Sequence, residues 1–98
     1  MSERRPCVYI LASRRNGTLY VGATTNLAGR IEAHRTGVVP GFTQKYKVHT
    51  LVYAEVHDTI EHALLREKQI KKWRRAWNLE LIERDNPQWR DLFEEHLL

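Results

Sequence analysis

An α+β fold, a small three-stranded antiparallel sheet flanked by helices, is what this 98-residue sequence predicts. Three runs of β-branched and apolar residues are separated by turn and loop signals. Stretches with helical apolar spacing follow the second and third runs. One domain over residues 1–98 is expected, because a chain of this length is near the lower end of what buries a self-sufficient core.

The first run is Cys7-Val8-Tyr9-Ile10-Leu11-Ala12, and Asn16-Gly17 after it supplies residues that tolerate the positive φ angles of a hairpin turn. Thr18-Leu19-Tyr20-Val21-Gly22 is the returning strand. If Asn16-Gly17 is the whole turn, Leu11 lies opposite Gly22 and Ser13 opposite Tyr20, and Tyr9 and Tyr20 share one face. A longer loop that shifts the register by one separates them. Gly22 brings no side chain, so a shallow gap is expected beside the two phenols.

Thr24, Thr25 and Asn26 offer capping oxygens before a short helix over Leu27–Arg35, and Gly37 marks its stop. Arg30 and His34 are four apart and so lie on one face of it. Thr36–Tyr46, with Gly37, Pro40 and Gly41, reads as a loop that carries Lys45 and Lys47 toward a third strand near Val48–Val56. Asp58-Thr59-Ile60-Glu61 resembles a capping box and opens the longest helix, which runs to about Trp77. Its apolar stripe is Ile60, Ala63, Leu64, Ile70, Trp73 and Trp77. Glu67 falls into the gap between Leu64 and Ile70, which aims a carboxylate at the core side. Leu79-Glu80-Leu81-Ile82 and the stretch Asn86–Leu92 predict one more short helix and a packed tail.

Charge is unevenly distributed. Residues 1–79 carry 14 Lys/Arg against 6 Asp/Glu, a balance of +8, and residues 80–98 carry 2 against 6, a balance of −4. A basic body before residue 80 suits nucleic acid, since neutralised phosphates release counterions. The single Cys7 excludes an intrachain disulfide and a multi-cysteine zinc site, and a reducing, cytoplasmic setting is expected. The first six residues lack the apolar stretch of a signal peptide, and no segment approaches the roughly 20 apolar residues of a membrane span.

Cys7-Val8-Tyr9 and Tyr20-Val21-Gly22 in consecutive strands, followed in order by Arg30, His34, a loop Lys45 and a helical Glu67, resemble the GIY-YIG nuclease superfamily. The similarity is to its small stand-alone bacterial members and covers nearly the whole chain. Arg66-Glu67-Lys68 with Ile70-Lys71-Lys72-Trp73, and Asn86-Pro87 with Trp89 and Asp91-Leu92, match that branch as well. Cys7 departs from the motif glycine, and Val8 and Val21 stand where isoleucine is named. The resemblance implies a metal-dependent endonuclease acting on phosphodiester bonds in DNA, single-stranded or branched, with a partner protein as one source of targeting.

It also implies roles. Tyr9 resembles the tyrosine that activates the attacking water, with Tyr20 in support, and Glu67 is the expected ligand of Mg²⁺ or Mn²⁺. Hard cations often take one or two protein carboxylates beside the substrate phosphate. Arg30 offers a planar fork for phosphate oxygens, His34 a donor or proton relay, and Lys45 a mobile positive charge. The phenol sets a requirement: a tyrosine near pKa 10 is only about 0.1% ionised at pH 7, a cost of roughly 4 kcal/mol. Either Arg30, Lys45 or the metal lowers that cost, or Tyr9 passes its proton onward as it takes one from water.

Plainer assignments stay open. Glu67 could pair with Arg30 or a nearby lysine, and each tyrosine could be a half-buried sheet residue with its hydroxyl bonded. The chain could also be a nucleic-acid-binding module that cuts nothing, or a protein-interaction domain with Trp73, Trp77 and Trp89 as its partner surface.

Overall fold

The structure, a computed structural model, describes residues 5–36 and 45–93. β1 (Cys7–Ala12) and β2 (Leu19–Thr24) form the hairpin, followed by α1 (Leu27–Thr36), β3 (Thr50–Val56), α2 (Ile60–Lys72) and α3 (Arg75–Asp85). The three strands pair antiparallel in the order β2-β1-β3. All six residues of β1 are buried, which fits a run that is apolar at nearly every position and lies in the middle of a sheet covered on both faces. Most of the loop expected over Thr36–Tyr46 lies outside the described residues.

The hairpin loop is longer than Asn16-Gly17. Gly17 N–H donates to the Arg14 carbonyl at 2.9 Å, Ser13 and Thr18 close the loop around it, and Asn16 takes a positive φ of 57°. Tyr9 therefore faces Gly22, and Leu11 faces Tyr20. This register differs from the expected one by two residues, and because side chains alternate with a period of two, Tyr9 and Tyr20 keep the same face.

Asn26 caps α1, its side chain accepting from Gly29 N–H at 3.3 Å. The cap of α2 is Thr59 rather than Asp58, and its hydroxyl accepts from His62 N–H at 3.1 Å. α2 ends at Lys72, short of the expected Trp77. Trp73 and Arg74 are extended, with ψ of 155° and 150°. The stripe Ile70, Trp73, Trp77 continues across this break without a glycine or proline, so periodicity alone carries no mark of it. The turn redirects the chain so that Leu81 and Ile82 of α3 reach the sheet.

Two apolar layers result. Val8, Ile10, Ala12 and Val21 pack with Ala63, Ile70, Leu81, Ile82 and Trp89 on one face. Tyr9, Leu11, Ile31, Leu51 and Leu92 pack on the other. Trp89 is buried at 6% exposure whereas Trp77 is exposed at 53%, so the three tryptophans do not form one partner surface.

A bulge in β3 organises the tail. Ile10 pairs with Tyr53 and Leu11 with Leu51, leaving Val52 as the extra residue. Val52 and its neighbour Tyr53 consequently join the same apolar layer. The buried Asn86 amide donates to the Val52 carbonyl at 3.1 Å and to the Arg90 carbonyl at 2.9 Å, and accepts from Arg90 N–H at 3.0 Å. Trp89 holds a positive φ of 57°, an uncommon backbone state for a bulky residue, and its indole N–H donates to Glu83 at 2.7 Å. Beyond it, Leu92 N–H donates to the Leu51 carbonyl at 2.7 Å while Asp91 accepts from Leu51 N–H at 3.3 Å. The tail thus takes up backbone groups on the outer edge of β3.

Candidate active site

Tyr9 sits in the central strand with Gly22 directly across from it. A Cβ on Gly22 would meet Cζ and the hydroxyl of Tyr9 at 2.5 Å. The expected gap beside the phenols is therefore filled, and the group that fills it is the Tyr9 ring. Tyr20, on the same face, has its ring centroid 6.2 Å from that of Tyr9.

α1 lays His34 against both rings. Its centroid is 6.0 Å from Tyr9 and 5.1 Å from Tyr20, the latter edge-on. His34 Nε2 and the Tyr9 hydroxyl are 3.1 Å apart, and both residues are buried, at 0% and 1% exposure. The end of α1 that carries His34 is fastened by its neighbour Arg35. That guanidinium donates to the His49 carbonyl at 3.1 Å and to Asp91 at 2.6 Å, and lies 4.4 Å from the Phe93 ring centroid. Sequence reasoning assigned Arg35 and Asp91 no part in the site; the match of Asp91-Leu92 to the family branch was the one signal that could have pointed to this clamp.

Burial sets the protonation states. It pushes the Tyr9 phenol well above the usual value, with Tyr20 adding to the shift, Arg30 opposing it, and the negative charge of Glu67 raising it further. Arg30 alone does not offset desolvation, so of the routes left open for the phenol the metal's charge and the onward passage of its proton remain. Burial also lowers the pKa of His34, and the charges of Arg30 and His49 lower it further. At neutral pH the pair is a neutral phenol facing a neutral imidazole.

Arg30, one turn before His34, is exposed while its charge reaches both buried groups. Glu67 comes from α2, which packs against β2 and β1, and its side chain is 16% exposed. Its carboxylate is paired with Lys71 at 2.7 Å, so the nearby-lysine alternative is realised, and with Lys71 rather than Arg30. Lys45 is exposed, and its ammonium lies 5.4 Å from the ring centroid of the adjacent Tyr46. The structure thus brings Tyr9, Tyr20 and His34 into contact, holds Arg30 and Glu67 within electrostatic reach of Tyr9, and directs Lys45 at its own neighbour.

Among the described residues no group of three or more His, Cys, Asp or Glu could hold a metal ion. A soft or four-coordinate protein cage is thereby absent from them. The donor chemistry that remains, one largely buried carboxylate at Glu67, fits a hard divalent cation that completes its shell with water and phosphate oxygens.

The family model described as the GIY-YIG catalytic domain matches residues 5–80. The UPF0213 protein of Syntrophus aciditrophicus is 39% identical over 82 residues, which cover 83% of this chain and 92% of that one. The UPF0213 protein of Staphylococcus haemolyticus is 37% identical over 76 residues, covering 78% and 92% respectively. Among solved structures, the solution structure of the UPF0213 protein of Bacillus halodurans superposes with a TM-score of 0.56. It covers 92% of this chain and 95% of that one at 24% identity, a likeness of fold.

Proposed function

Because this chain belongs to the GIY-YIG family, we propose that it is a metal-dependent endonuclease that hydrolyses phosphodiester bonds in DNA, with single-stranded or branched DNA as its substrate. The observation that carries the proposal is the hydrogen bond between two buried neutral groups, Tyr9 and His34, beside Arg30 and Glu67.

In the proposed reaction Tyr9 takes a proton from the attacking water while its own proton passes to Nε2 of His34. No free phenolate forms, and the roughly 4 kcal/mol cost of ionising a tyrosine at neutral pH is avoided. The step requires the tautomer with the proton on Nδ1, which leaves Nε2 as acceptor. The hydroxide oxygen bonds to phosphorus as the bond to the leaving oxygen breaks, and the leaving oxygen takes that bonding pair and then a proton from solvent water. Arg30 binds the non-bridging oxygens as charge gathers on them, and its proximity to His34 favours return of the proton afterwards. Tyr20 walls the phenol, its ring centroid 6.2 Å from that of Tyr9. Glu67 would hold Mg²⁺ or Mn²⁺, which supplies Lewis-acid stabilisation of the phosphate. Lys45 contributes charge to the nucleic-acid backbone, and the buried Cys7 suits a reducing, cytoplasmic setting.

A second reading, a module that binds nucleic acid without cutting it, draws on one observation: Lys71 already occupies the Glu67 carboxylate. Single-stranded, duplex and branched DNA incubated with wild type and Glu67→Ala, with and without Mg²⁺ or Mn²⁺, separates the two. The nuclease reading predicts metal-dependent cleavage by wild type and binding without cleavage by the variant. Identical behaviour of the two proteins would end it.

A further inference from the structure

The surface beside Tyr20 continues away from the phenols as a chain of depressions with shared walls. Tyr20, Lys71 and Asn78 line the first. Asn78 also lines the second, together with Arg14, Trp73 and Arg75. Trp73 also lines the third, with Trp77, Arg66 and Arg84.

Its chemistry is cationic and aromatic: Arg14, Arg75 and Arg84 supply the charge, while Lys71 is paired with Glu67 and Arg66 with Glu55, each at 2.7 Å. Arg75 donates to the carbonyl oxygens of Asn16 and Gly17 at 2.8 and 2.6 Å, contacts that pin the hairpin loop to α3 without neutralising the guanidinium charge. Trp73 is half-buried, with the Arg66 guanidinium 5.0 Å from its ring centroid, whereas Trp77 is 53% exposed and stands edge-on to Trp73 at 6.1 Å and 76°. Glu80 is the acid in that last depression. The Asn78 side-chain oxygen, at the seam of the first two depressions, is buried without a hydrogen-bond partner among the described residues. A turn of that amide toward the groove would offer it to a base edge or a sugar hydroxyl.

We propose that this path seats a single nucleic-acid strand leading away from the candidate active site, with Trp77 stacking on an unpaired base at its far end. Cations for the backbone interleaved with an exposed aromatic face are what an unpaired strand requires, whereas the bases of a duplex have their faces already stacked. The path starts at Tyr20 and in that respect rests on the nuclease reading.

Binding of labelled oligodeoxythymidines of graded length to the full chain, in EDTA so that no cleavage intervenes, tests it. Affinity of wild type rises with length until the strand reaches Trp77, and indole fluorescence is quenched as it does. Trp77→Ala weakens binding of the long oligonucleotides by about 5- to 150-fold and leaves the shortest unaffected. Trp77→Phe recovers most of the loss, and Arg14→Gln lowers the salt slope by about 0.7, the share of one phosphate on a single strand. Trp77→Ala binding long strands as wild type does, or equal weakening of long and short strands, overturns the proposal. Trp77-dependent binding with no cleavage on adding Mg²⁺ removes the nuclease reading and keeps the path. Cleavage with binding indifferent to Trp77 removes the path and keeps the nuclease.

Discussion

The two faces of β1 carry opposite kinds of burial. Toward α2 and α3 the strand presents Val8, Ile10 and Ala12 to a layer of aliphatic and aromatic side chains. Toward α1 it presents Tyr9, whose hydroxyl is buried against the imidazole of His34. Apolar burial stabilises in proportion to area, whereas a buried polar pair contributes little net stability and is costly if one partner is lost. The first face holds the fold, and the second uses the resulting rigidity to keep a buried phenol and imidazole at hydrogen-bond distance.

Substitutions on the two faces should therefore fail differently. Ile10→Ala on the apolar face is expected to cost about 2–5 kcal/mol of unfolding free energy, read from denaturant melts, while the fraction that stays folded cleaves at the wild-type rate. A Tyr9–His34 pair disturbed as strongly by this change as by one on its own face would erase the comparison. Gly22→Ala, on the polar face, forces a methyl into the space of the Tyr9 ring. A smaller stability loss of about 1–3 kcal/mol is expected, because a buried, hydrogen-bonded phenol cannot simply swing aside. Here cleavage should fall in the folded protein, and wild-type activity in a stably folded Gly22→Ala would show that the close approach of Tyr9 to Gly22 serves packing alone.

Much of this contrast was legible in the sequence, and the omissions have physical causes. Alternation along Cys7–Ala12 and Leu19–Thr24 placed Tyr9 and Tyr20 on one face, and a two-residue error in the turn left that parity intact. Spacing put Arg30 and His34 on one side of α1. It did not show which would be buried, since a four-residue period carries no information about depth. The break at Trp73 was hidden because the apolar repeat runs through it. The bulge at Val52 was hidden because its compensation, the Asn86 amide, lies 34 residues away in sequence. Which of the two routes for the phenol applies stayed open for a related reason: neighbouring cations can be counted in a sequence, but desolvation depends on what the folded chain places over the group.

The central claim is that the buried phenol does chemistry rather than packing, and single-turnover cleavage of labelled single-stranded DNA in saturating Mg²⁺ by wild type and Tyr9→Phe tests it most directly. Removing one oxygen should slow cleavage by about 10²- to 10⁴-fold while the variant stays folded and still binds DNA. A folded Tyr9→Phe protein that cuts at the wild-type rate would contradict the account.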